Sequence, residues 1–128
     1  MKSRLFLPIL SMLAMCVVPN YAATAVLSEA TETALRAAIA ANDVVTIQCE
    51  GIILLTNTIT ISKSVILDAT GRQNFGLSGS GSNRVIAIEQ GVSAQLVNVS
   101  IVDGKAEAGG GILNAGTLLL SGCTLSNN

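Results

Sequence analysis

Hydrolysis of a glycosidic bond needs two carboxylates flanking the scissile bond, and a lyase needs a basic group to abstract a proton. The acids to place are therefore Glu29, Glu32, Asp43, Glu50, Asp68, Glu89, Asp103 and Glu107. The densest grouping is Asp103, Lys105 and Glu107 on a Gly/Ala-rich stretch, and its simplest reading is a solvated charged turn. The chain has no His and no Trp. Few side chains remain for acid–base, metal or base-stacking work.

Gly109-Gly110-Gly111 is the next candidate. A phosphate loop needs Gly-Lys-Ser/Thr at the start of a helix, but Gly104-Lys105 is followed by Ala106 and no glycine stands five residues before Gly104. A calcium-binding nonapeptide needs Asp at its sixth position. Counted from Gly109, that position is Asn114, and no second copy follows. The triple glycine is therefore expected to be a corner. Cys49 and Cys123 read as small apolar fillers of a core. Thr56, Thr58 and Thr60 alternate as they would on one side of a strand, but Ala87, Ser93, Thr117 and Thr124 in the matching coils make no regular ice-binding row. Asn98-Val99-Ser100 matches a glycosylation sequon and is assigned no role. No residue is assigned a catalytic, cofactor-binding or metal-binding function, and no cofactor is expected.

The elements that must carry these residues begin with a leader. Lys2 and Arg4 precede an apolar run from Leu5 to Val18 and then small residues, the layout of a secretory signal peptide. Ala23-Thr24-Ala25 is the best small-x-small match, so residues 1–25 are expected to be removed. Leu13-Ala14-Met15-Cys16 resembles a lipoprotein signal, but Met15 is too bulky to precede the modified cysteine. No stretch reaches the length of a membrane span. Removal leaves 103 residues, enough for one domain, with five basic and eight acidic side chains. That balance offers no basic face for nucleic acid.

Ser28–Ala41 reads as the one helix, with Ala34, Leu35, Ala38 and Ile39 on one face and Ser28 or Thr31 as cap. Residues 26–43 are thus expected to form an N-terminal helical cap. From Val44 onward, short runs of Val, Ile, Leu and Thr alternate with Gly, Asn, Asp and Ser, the pattern of strands and turns. These runs repeat. Ala87 aligns with Ile112, Ile88 with Leu113 and Gly91 with Gly116 at an offset of 25; Leu96 aligns with Leu120, Val99 with Cys123, Ile101 with Leu125 and Asp103 with Asn127 at 24. By the same spacing Glu89 falls on Asn114 and Asp68 near Val92, so no two acids stack. The Ile66–Gly71 segment stands about 30 residues before the Leu96 run, with Ile52–Leu55 before that. A short period carrying several strands means a solenoid of about four coils over residues 44–128.

The residues also resemble a family. GGGILNAGTLLLSGCTLSNN is similar to the GGGI-x-N-x-G-x-L-x-L repeat of secreted bacterial β-helix proteins, the pectin-lyase-like superfamily that includes polymorphic outer-membrane-protein repeats. TALRAAIAANDVVTI looks like the helix-and-first-strand entry of such chains, although Gln48 stands where they carry an aromatic. SKSVILDATG and QLVNVSIVDGKA resemble their coils. The resemblance implies an all-β, right-handed parallel β-helix with an N-terminal α-helical cap.

It also implies an exported or cell-surface structural protein of the adhesin or autotransporter-passenger type. Its expected partners are surface glycans or other cell-surface proteins, with no nucleic acid and no stable membrane span. A polysaccharide lyase or hydrolase is the alternative, with no catalytic cluster evident in these residues. The coils are expected to continue beyond Asn128, or to stack there on another subunit, because an uncapped solenoid end is adhesive.

Overall fold

The structure, a computed structural model, describes residues 22–128. Lys2, Arg4, the Leu5–Val18 run and Leu13–Cys16 lie outside these residues. The described chain runs β1 (Thr24–Leu27), α1 (Glu32–Ala41), β2 (Val44–Ile47), β3 (Gly51–Leu54), β4 (Ile59–Ile61), β5 (Val65–Asp68), β6 (Phe75–Ser78), β7 (Ile86–Ile88), β8 (Ser93–Val97), β9 (Ser100–Val102), β10 (Ile112–Asn114), β11 (Thr117–Ser121) and β12 (Thr124–Ser126).

From β2 onward the strands recur in threes, and each pairs in parallel with its equivalent one turn later. The product is a parallel β-solenoid of about four turns with three faces. The first face is β1-β2-β5-β8-β11, the second β3-β6-β9-β12 and the third β4-β7-β10.

Alternation along each strand points every second side chain inward, and the parallel register stacks these into columns. Val45, Leu67, Leu96 and Leu120 form one on the first face. Ile53, Leu77, Ile101 and Leu125 form one on the second, and Ile59, Ile86 and Ile112 one on the third. Aliphatic residues suit this arrangement, since neighbouring turns lie only about 4.8 Å apart. Phe75 is the one ring among the buried core residues.

The helix closes the N-terminal end of the stack. Thr31 Oγ1 accepts from the Ala34 amide at 3.2 Å, which selects Thr31 over Ser28 as cap, and Leu35 and Ile39 are buried against the core. One element was not expected. Thr24–Leu27 forms a strand parallel to β2, making β1-α1-β2 a βαβ unit and carrying the first face across the boundary expected at Ala25.

The register differs from the sequence alignment in three places. Ile86 pairs with Ile112 and Ala87 with Leu113, an offset of 26 where 25 was expected, so Glu89 falls beside Ala115. Asp68 pairs with Val97, not near Val92, because six residues join β5 to β6 where two join β8 to β9. Ile52–Leu55 does not lie on the Ile66–Leu67 column: Ile53 stacks on Leu77, and Leu67 on Val45.

The inward positions of the fourth turn have no neighbour on their outer side among the described residues. Leu120 and Leu125 are consequently 38% and 46% exposed, although Leu96 and Ile101 directly beneath them are fully buried.

Candidate functional site

A groove of about 550 Å³ runs across the corner between the second and third faces, lined by Leu54, Ser78, Ser80, Asp103, Lys105 and Asn127. Four strands deliver these residues, with Leu54 ending β3. Ser78 ends β6, while Asp103 and Asn127 are the first residues after β9 and β12. Because Ser78, Val102 and Ser126 are in register, the corner repeats from turn to turn.

That corner needs a left-handed residue, and Asp and Asn tolerate the conformation better than other side chains. Asp103 has φ 52° and Asn127 φ 56°. The shared backbone brings the two side chains together, and Asn127 Nδ2 donates to Asp103 Oδ1 at 2.5 Å. The Asp103 amide donates to the Ser126 carbonyl at 3.4 Å. In the turn before, the left-handed position moves to Ser80 and Gly81, with φ of 58° and 69°. The Ser80 amide there donates to Ser78 Oγ at 3.0 Å.

The glycines are fixed by close approach. A Cβ at Gly104 would stand 2.0 Å from the Gly110 carbonyl oxygen, and one at Gly79 would stand 2.1 Å from that of Asn83. The triple glycine is the expected corner, with Gly109 at φ 60°. The charge beside it engages carbonyls, those of Gly109 and the preceding Ala108, and not amides. Arg84 Nε donates to Gly109 O at 3.0 Å and Arg84 Nη2 to Ala108 O at 2.8 Å, the opposite polarity to a phosphate loop.

Of the expected charged patch, Asp103 and Lys105 line the groove and Glu107 does not. Other acids serve the fold. Glu32 pairs with Arg36 at 2.7 Å and accepts from the Thr56 amide at 3.1 Å, while Asp43 Oδ2 accepts from the Ala23 amide at 3.0 Å. Asp68 Oδ1 accepts from the Thr70 amide at 2.9 Å. The hydrogen bonds from Arg36 and then those from Thr56 hold the Glu32 carboxyl below the usual glutamate range, against partial desolvation. Among the described residues no three His, Cys, Asp or Glu side chains are grouped to hold a metal ion.

Other candidates fall to structural roles. Thr56 and Thr58 belong to the β3–β4 connection, and only Thr60 lies in a strand, so TNTIT is not a threonine face. Asn98, with φ 61°, aims its amide at the Ala69 and Arg72 carbonyls, each 3.5 Å away. Cys49 and Cys123 are free and half-buried, packed against the core. Burial pushes the Cys49 thiol up, opposed by the Arg72 charge. Ser78, Ser80 and Leu54 were not foreseen as site residues. Two sequence signals led to this corner, the offset joining Asp103 to Asn127 and the charged grouping of Asp103 with Lys105.

A second, largely apolar groove of about 460 Å³ follows the outside of the first face past Val44, Ile66, Gln95 and Leu119. No helix among the described residues is long and apolar enough to cross a membrane. Comparison with protein-family models, with curated proteins and with solved structures returned no match.

Proposed function

We propose that this chain is an exported β-solenoid scaffold of the adhesin or passenger type, which contacts surface glycans through the groove at its second corner. The observation that carries this reading is the Asp103–Asn127 pair. A carboxylate and an amide held side by side offer an acceptor and a donor to neighbouring sugar hydroxyls. Exposed Leu54, two turns before Asp103 on the same groove, supplies an apolar surface for the C–H face of a ring. The stacked backbone fixes all of these, so little conformational freedom is lost on binding. The leader at Lys2–Val18 and the resemblance to secreted β-helix proteins support export.

Binding is favoured over catalysis because one carboxylate lines the groove where a hydrolase needs two. A lyase is the second reading, favoured by Lys105, an amine on the same groove wall. The test presents the full chain to immobilised neutral and acidic polysaccharides while soluble unsaturated uronate and reducing ends are measured. Retention that falls about tenfold in Asp103→Ala, without product release, supports the scaffold. Product release dependent on Lys105 moves the assignment to the lyase, and no retention on any polysaccharide overturns glycan contact.

A further inference from the structure

Ala22 and Ala23 are exposed and precede the first strand, yet the backbone of Ala23 is held on both sides by the start of β2. Its carbonyl accepts from the Asp43 amide at 2.7 Å and from the Val44 amide at 3.1 Å. Its nitrogen donates to Asp43 Oδ2 at 3.0 Å, across 20 residues of sequence. The other carboxylate oxygen, Asp43 Oδ1, stands 3.5 Å from Lys63 Nζ. An uncharged amide N–H asks only for an acceptor, which Asn or Ser would supply; a carboxylate matches a charged donor.

From these contacts, and resting on the export proposed above, we infer that leader removal cuts between Ala22 and Ala23, and that Asp43 then holds the α-ammonium of the mature chain. A cut after Ala25 falls inside β1. It would delete the Thr24–Val44 and Ala25–Val45 pairs together with every Ala23 contact. A cut at Ala22–Ala23 keeps them all. Ala22 is the small residue that a leader peptidase needs before the scissile bond, and Asn20, third back, is larger than Ala but uncharged.

In the reaction, catalysed by the leader peptidase of the exporting membrane, water adds to the Ala22 carbonyl carbon and the bond to the Ala23 nitrogen breaks. Ala22 leaves as a carboxylate, and the Ala23 nitrogen takes up a proton. That nitrogen already lies at ion-pair distance from Oδ2, so the new charge appears beside its partner without movement of β1. The neutral bond it replaces is the weaker of the two. Maturation thereby gives the first strand an ionic anchor that the precursor lacks. Lys63, the other charged group at this carboxylate, sits on Oδ1 and tempers the attraction.

The experiment expresses the full 128-residue chain in a secreting bacterial host and reads the N-terminus of the exported product by mass spectrometry. A product beginning at Ala23 is expected. An exported product beginning at Val26, or at any other residue, overturns the inference and leaves export standing. A full-length chain retained inside the cell overturns export and the inference with it. The α-amine of the product is then titrated through the pH dependence of its acylation rate. It should titrate above the range of about 7.7–8.0 of an unperturbed α-amine, and Asp43→Asn should return it to that range. The stability gained from the pair is therefore present below the unfolded pKa and lost as pH rises through the folded one. An α-amine that titrates identically in the two proteins overturns capture by Asp43.

Discussion

Asn127 stands one turn beyond Asp103, in the same left-handed backbone conformation, with its amide nitrogen 2.5 Å from the Asp103 carboxylate. The geometry separates two demands on position 103, the backbone conformation and the side-chain acceptor. Asp103→Asn satisfies the first and is expected to unfold within about 0.5 kcal/mol of wild type, whereas Asp103→Val is expected to cost about 1–2 kcal/mol because a branched residue resists positive φ. Urea denaturation of both variants measures the difference.

Glycine substitutions distinguish conformational strain from collision. A Cβ at Gly71, with φ 82°, meets nothing within 4 Å, while one at Gly104 meets the Gly110 carbonyl at 2.0 Å. Gly71→Ala should therefore cost about 1 kcal/mol. Gly104→Ala should cost clearly more, since backbone must move. Equal midpoints in urea would show that the loop of residues 103–111 yields freely.

The Glu32 clamp predicts a pH dependence with a definite sign. Its folded carboxyl titrates below the usual glutamate range, so the stability it contributes is present above the unfolded pKa and is lost as pH falls through the lower, folded pKa. Thermal midpoints of wild type should drop across that acid window. Glu32→Gln should start lower at neutral pH and flatten the change.

The first strand carries weight of its own. A chain beginning at Val26 lacks the Thr24–Val44 and Ala25–Val45 pairs and the Ala23–Asp43 hydrogen bond. It should melt at a lower temperature than a chain beginning at Ala23. N-terminal mass analysis of the native product then shows which of the two is made.

The cysteines should never bridge within one chain. Cys49 lies between β2 and β3 in the first turn and Cys123 between β11 and β12 in the fourth, about 14 Å apart at the spacing of three turns, beyond disulfide reach. Both thiols should alkylate once the protein is unfolded. In the folded chain Cys49 should react more slowly than a free thiol, because burial raises its pKa.

The solenoid was legible because inward residues must repeat at the spacing of the stack, and Leu96–Leu120 and Ile101–Leu125 keep that spacing without interruption. Register failed where turns differ in length. Four residues join β7 to β8 and two join β10 to β11, so matching Gly91 to Gly116 displaced the preceding strand by one. β1 escaped notice because four residues are too few to show a period, and a helix separates it from its partner. The groove was legible only as a corner. Ser78 enters it from the end of β6 and Ser80 from the connection between β6 and β7, and no repeat in the sequence announces either.

The closed N-terminal end has a kinetic meaning. Each ladder joins segments between 20 and 29 residues apart in the chain, so no strand waits for a distant one, and every turn forms its ladders on the one before. The βαβ unit is the first piece able to cover its own apolar side. Order should therefore spread from α1 through the successive turns toward β12.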